Sequence, residues 1–261
     1  MAGTVSLVHA GDIAYVQLAN PGKLNAIDIL MWQELRVALE ELQTLPPDTA
    51  PRAVIVRGTD GQFASGGDIG EFASFRFDET RLHHFHEHIV APALQALLDC
   101  DIPTLAQIEG VCIGGGLEIA ACCDIRVCEQ GSRFGAPIAR LGFPMAPGEL
   151  RVLTRVLGDA VLRELLLEAR LIDAATALSV GLVHEVVAHG AVAACAERRA
   201  EHIATLSPQA ARINKRSLRQ LERGGPTEAE RKSHFGYAAS DEHVEGVMAF
   251  IEKRPPRFQR G

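Results

Sequence analysis

No apolar run in the chain approaches the roughly 18 residues needed to cross a bilayer, and the opening MAGTVSLVHAGD has no basic segment followed by a long apolar stretch. Both absences predict a protein that stays in the compartment where it is made, cytoplasmic and without a membrane partner. Basic residues are also in deficit. There are 26 Lys and Arg against 33 Asp and Glu, a formal charge of −7, so no field concentrates a polyanion, and nucleic acid is excluded as the main partner. No cysteine pair has C-x-x-C spacing. The six thiols, Cys100, Cys112, Cys122, Cys123, Cys128 and Cys195, read as small buried hydrophobes of a reduced protein rather than as bridges or metal ligands. Low-complexity segments and obvious repeats are absent as well.

What is present is an ordinary globular composition, 47% hydrophobic and 23% charged over 261 residues. That length makes one large domain or two small ones and buries roughly 70 to 75 per cent of the unfolded surface without staples. Ile13 to Ala19 and Arg52 to Gly58 are rich in β-branched residues and stop at turn formers, as strands do. Between them Met31, Leu35, Ala38 and Leu42 recur at helical spacing, and Leu45, Pro46 and Pro47 end the helix. A strand over Thr104 to Ile108, a helix over Leu117 to Cys123 and a strand over Ile125 to Cys128 continue the alternation, which predicts an α/β architecture. After about Ala188 helical signals dominate: Ser207 with Pro208 is a cap and first-turn pair, and Thr227 with Glu230 fits a capping box. From Arg212 to Gly261 eleven Lys or Arg face seven Asp or Glu, a net of +4 that leaves −11 on the preceding 211 residues. The division is therefore an acidic α/β core over residues 1–190 and a locally basic helical region over 191–261.

Two glycine segments carry chemical information. In GQFASGGDIG, Gly66 and Gly67 follow the Arg52 to Gly58 strand and let the backbone approach a ligand with its amides exposed, although a plain turn has the same composition. In IEGVCIGGGLEIAA, three glycines end a strand and open a helix, whose free N–H groups and dipole favour developing negative charge. A dinucleotide fingerprint would need Gly or Ala where Ile119 stands, and no Gly-Lys-Ser/Thr follows for a triphosphate loop. Glu118 falls in the first turn of that apolar helix. It either complements the dipole or, desolvated beside an anion site, serves as an acid/base with a raised pKa.

Together these segments resemble the crotonase family, the enoyl-CoA hydratase/isomerase superfamily, over nearly the whole chain. The resemblance is carried in order by ANPGKLNAIDILMWQEL, GQFASGGDI, IEGVCIGGGLEIAACCDIRV, SRFGAPIARLGFPMAPG and SDEHVEGVMAFIEKRPPRF. It implies a superhelical core of repeated β-β-α turns, a C-terminal helical region that builds a homotrimer or a dimer of trimers, and an acyl-CoA thioester as substrate. Coenzyme A enters as part of that substrate, and neither a separate cofactor nor a metal is expected. By matching position, the Gly67 and Gly115 amides form an oxyanion hole and Glu118 is the catalytic carboxylate. The resemblance also assigns substrate contacts to the backbone of Asp68, Ile69 and Gly70, the coenzyme phosphates to Lys23, and the coenzyme to Phe250 and Lys253, in some members from a neighbouring subunit.

One position departs from the hydratase pattern. The family's second glutamate falls at Ile138, an apolar lining residue of the acyl pocket, which removes a proton carrier and dries that side. Glu149, after Pro147 and Gly148 at a helix start, either partners the helix dipole, the reading favoured by its position, or substitutes for the missing carboxylate. Arg140 and Arg151 could pair with a substrate carboxylate but more often make structural ion pairs. In HHFHEH, His84 and His88 share a helical face at i, i+4, beside His83 and His86; solvated side chains are the favoured reading over a metal pair, and the resemblance implies that this region borders the acyl pocket, where some members place a working histidine. The expected function is thus an acyl-CoA enzyme working through a stabilised enolate with a single carboxylate, isomerase-like or weakly hydrating. The alternatives are a decarboxylase of the same family, favoured by dry surroundings at Ile138, and a degenerate CoA-binding or scaffold homolog.

Overall fold

The computed structural model describes residues 2–258. Strand β1 (Thr4–Ala10) pairs antiparallel with β2 (Ile13–Ala19), and after helix α1 (Ile29–Thr44) the chain returns as β3 (Ala53–Gly58), parallel to β2. Asp28 caps α1, accepting from the Met31 amide. The face of α1 carrying Met31, Leu35, Leu39 and Leu42 is buried in the core, as the helical spacing implied.

Beyond a short 3₁₀ turn at Ile69–Ser74 come α2 (Glu79–His84), one π-helical turn at Phe85–Val90, and α3 (Ala91–Asp99). Strand β4 (Thr104–Ile108) then leads through β5 (Val111–Ile113) into α4 (Gly115–Cys122), β6 (Ile125–Glu129) and β7 (Arg133–Gly135). Next are α5 (Pro147–Leu167), β8 (Leu171–Asp173), α6 (Ala174–Ser179) and β9 (Glu185–Val187). Four helices close the described chain: α7 (Val192–Ala204), α8 (Pro208–Glu222), α9 (Glu228–His234) and α10 (Asp241–Ile251).

A six-stranded sheet runs β1-β2-β3-β4-β6-β9 and a three-stranded sheet runs β5-β7-β8. From β2 onward every pairing in the larger sheet is parallel, so its central strands are covered on both faces and read as continuous apolar text such as AVIV. One face packs on α1, α3 and α4. The other carries Val192, Cys195, Ala196 and Ala200 of α7 against Ile55, Leu105 and Val127. The helix that opens the 191–261 region is therefore part of the core packing, whereas α8 contributes no fully buried residue. Ser207 and Thr227 cap α8 and α9 as their sequences imply. All six cysteines are buried and unbridged, and burial pushes the Cys123 and Cys128 thiols up to about 12. Among the described residues no helix is long and apolar enough to cross a membrane.

Candidate active site

The two sheets set the glycine segments side by side. The loop after β3 is tied on both flanks: Ile27 donates to the Gly66 carbonyl at 2.7 Å, Asp68 donates to Ile27, and Ala64 exchanges bonds with Val111 and Ile113 of β5. Gly66 has φ +105° and Gly114 φ +50°, conformations a side chain would strain. A Cβ on Gly116 would lie 2.6 Å from the Ala64 carbonyl oxygen, so the triplet packs flush against the loop. Among the described residues neither the Gly67 nor the Gly115 N–H has a hydrogen-bond partner, and both residues line one cavity of about 190 Å³. That cavity is walled by Trp32, Phe72, Phe85, Ile138, Phe143 and Met145.

Glu118 is buried at its wall. Burial pushes its carboxyl well above the ordinary value, the charge of Glu149 pushes the same way, and Arg76 opposes them. Glu149 is also buried and lines the same cavity. The sequence reading counts one carboxyl at this site, whereas the cavity holds two. Position 138 is empty of a carboxylate as the sequence states, but α5 begins close enough to deliver Glu149 from its first turn. Glu149 keeps the terminal role expected of it, since Oε2 accepts from the Ala146 amide at 3.3 Å. Its Oε1 lies 2.5 Å from His86 Nδ1.

His86 lines the cavity from the π-helical turn over Phe85–Val90. The sequence marks the run as bordering the acyl pocket but does not distinguish His86 from its neighbours. His83, His84 and His88 are exposed, with His84 and His88 ring centroids 5.2 Å apart, and no group of three or more His, Cys, Asp or Glu among the described residues is arranged for a metal. Arg76 also lines the cavity, its guanidinium carbon 3.7 Å from the Phe143 ring centroid and 4.1 Å from that of Phe72. Nothing in the spacing around Arg76 distinguishes it from a surface arginine. Arg140 and Arg151, the two arginines weighed from the sequence, are not among the cavity residues. Arg140 is exposed and Arg151 reaches Gln95.

The remaining expected positions divide. Ile138 lines the cavity. Ile69 also lines it, while the amides of Asp68 and Gly70 are engaged inside the loop, Gly70 donating to Asp68 Oδ1 at 3.0 Å. Lys23 makes a 2.5 Å ion pair with Asp68; Lys23 and the Gly70 amide offset the effect of burial and hold the Asp68 carboxyl below its ordinary value. Phe250 and Lys253 are exposed and line no part of this cavity.

The family model described as enoyl-CoA hydratase/isomerase matches residues 9–261. The chain belongs to the enoyl-CoA hydratase/isomerase family. An enoyl-CoA hydratase/carnithine racemase structure from Magnetospirillum magneticum superposes with a TM-score of 0.94 at 36% identity, covering 99% of this chain and 96% of that one. A short-chain-enoyl-CoA hydratase of Clostridium acetobutylicum is 32% identical over 96% of this chain and 95% of its own length. The mitochondrial methylglutaconyl-CoA hydratase of Rattus norvegicus is 30% identical over 86% and 73%. The mixed α/β core with its helical C-terminal region is thus the fold of this hydratase/isomerase family, and the chain is an enzyme of that family.

Proposed function

We propose that the protein hydrates a short 2-enoyl-CoA thioester, with Glu118 and Glu149 as a proton-sharing pair. The observation that carries this reading is that both carboxyls line one cavity with two unpartnered backbone amides. The thioester oxygen accepts from the Gly67 and Gly115 N–H groups, which stabilise the enolate as it forms; one such donor contributes roughly 3 to 4 kcal/mol to lowering a barrier. One carboxylate takes a proton from water, the hydroxide oxygen bonds to Cβ, the double bond becomes the enolate, and the other carboxyl delivers its proton to Cα. Burial keeps Glu118 as the acid. Glu149, held by the Ala146 amide and by His86 with Nδ1 protonated, is the acceptor for water's proton. Ile138 forms an apolar wall for the acyl chain.

The hydratase names of the relatives favour hydration over isomerisation or decarboxylation. In this reading the coenzyme runs out past Ile69, and contact from Phe250 or Lys253 requires a second copy of the chain, for which the exposed apolar side chains Phe250 and Ile251 provide a surface. The test is the loss of enoyl absorbance from crotonyl-CoA with the wild type, Glu118→Gln and Glu149→Gln. Both variants lose at least about 100-fold in kcat. Wild-type turnover by Glu149→Gln overturns the two-carboxylate scheme, and no turnover by the wild type on any 2-enoyl thioester overturns hydration.

A further inference from the structure

Arg76 is a cation of the cavity that the proposed hydration does not use. Phe143 and Phe72, their rings 76° apart, flank its guanidinium carbon at 3.7 and 4.1 Å. Its Nε is buried and has no hydrogen-bond partner among the described residues. A dry donor left unpaired is costly unless a ligand accepts from it. Neither cavity carboxyl does so. Glu149 is committed to His86 and Ala146, and Glu118 and Glu149 both act on Arg76 only at a distance, with no ion pair between them and Arg76 among the described residues. The edge of a guanidinium is a planar fork of donors matched to a carboxylate, and the Nε on that edge is unpaired here among the described residues.

We propose that Arg76 recognises a free carboxylate on the acyl group, so that the substrate class is a dicarboxylic rather than a simple fatty acyl thioester. Phe72 connects this site to the reaction centre: its ring lies within 3.1 Å of where a Cβ on Gly67 would stand, which puts the guanidinium one ring away from the thioester anchor. A guanidinium stabilises a carboxylate, whereas loss of CO2 requires the carboxylate's charge to leave it. The acyl carboxylate is therefore a handle, and the group that reacts is the double bond. The same apolar wall at Ile138 that dries the pocket strengthens such a charge pair.

The proposal deepens the acyl thioester reading above and rests on it for the location of the acyl chain. It is tested by calorimetry with glutaryl-CoA and valeryl-CoA, which have the same chain length, differ in a terminal carboxylate or methyl, and contain no double bond to hydrate. The wild type binds glutaryl-CoA at least about tenfold more tightly, Arg76→Gln reduces that preference to threefold or less, roughly the size expected from residual long-range charge, and Arg76→Lys recovers part of it. Equal wild-type affinities overturn the proposal whether or not the variants fold, as does an undiminished preference in Arg76→Gln. Turnover of glutaconyl-CoA and crotonyl-CoA separates the two readings. Hydration with no preference between glutaryl and valeryl removes the carboxylate site alone, and a retained preference with no hydration removes the reaction alone. If Arg76 merely tuned Glu118, Arg76→Gln would instead lower kcat on both substrates and leave the binding ratio unchanged.

Discussion

Glu149 Oε1 lies 2.5 Å from His86 Nδ1, and the charge on Glu149 is the second cause, after burial, that raises the Glu118 carboxyl. In the proposed hydration the first turn of α5, one π-helical turn and the first turn of α4 act as a single proton-handling unit. Groups that act in one proton transfer give losses that are not additive.

If the proposed hydration holds, the double variant Glu118→Gln/Glu149→Gln loses little more hydratase activity than either single variant. Single-turnover kinetics with crotonyl-CoA measure this. Losses that multiply to the product of the single effects show two independent groups instead.

In the proposed hydration His86 acts through Glu149, as a positioning residue. His86→Ala lowers kcat by about tenfold and changes the acidic limb of the pH–rate profile, while His86→Gln, which restores a donor to Glu149, recovers part of the loss. An unchanged pH profile with reduced thermal stability assigns His86 a packing role only.

Glu118 also links stability to pH. Its folded-state carboxyl is raised above the ordinary value by burial and Glu149, against the opposing charge of Arg76, and His86 faces the pair from the π-helical turn. A raised acid favours the folded state fully below its unfolded pKa and loses that contribution as pH rises toward the folded value. Wild-type Tm therefore declines as pH rises above the ordinary carboxyl range more steeply than that of Glu118→Gln, in which position 118 has no proton to lose. Parallel curves in thermal melts contradict this.

Substitutions in the two glycine segments separate by what their methyl would meet. Gly67→Ala meets the edge of Phe72 at 3.1 Å, a ring that can shift slightly, so the protein folds with a Tm close to wild type. Gly116→Ala meets the Ala64 carbonyl oxygen at 2.6 Å, which is backbone, and overpacking of this kind costs about 1 to 3 kcal/mol. Denaturant unfolding of the two variants checks the order, which reverses only if the loop and triplet are not in contact.

Much of the arrangement was legible along the chain because its causes are local. Ile13 to Ala19 is a strand at those bounds, the Met31 to Leu42 stripe is the buried face of α1, and Ser207 and Thr227 cap the helices they precede. Alternating elements and a glycine triplet at a strand-to-helix junction express propensity, periodicity and backbone freedom, which neighbouring residues settle among themselves. The short strands β5, β7 and β8 are held by pairing across the chain and leave only a weak local trace.

The site divides along the same line. Sequence alone determined the family, the two glycine segments, Glu118, and the absence of a carboxylate at Ile138, because each is a residue type at a fixed spacing within one motif. Only the tertiary structure decided that Glu149, His86 and Arg76 share the cavity with them. Glu149 arrives from the start of a helix after an intervening turn, His86 through a π-helical turn that breaks the i, i+4 count, and Arg76 by stacking on Phe72 and Phe143 from separate segments. Their roles follow from desolvation and from charges brought near in space, and neither is a property of residues adjacent in sequence.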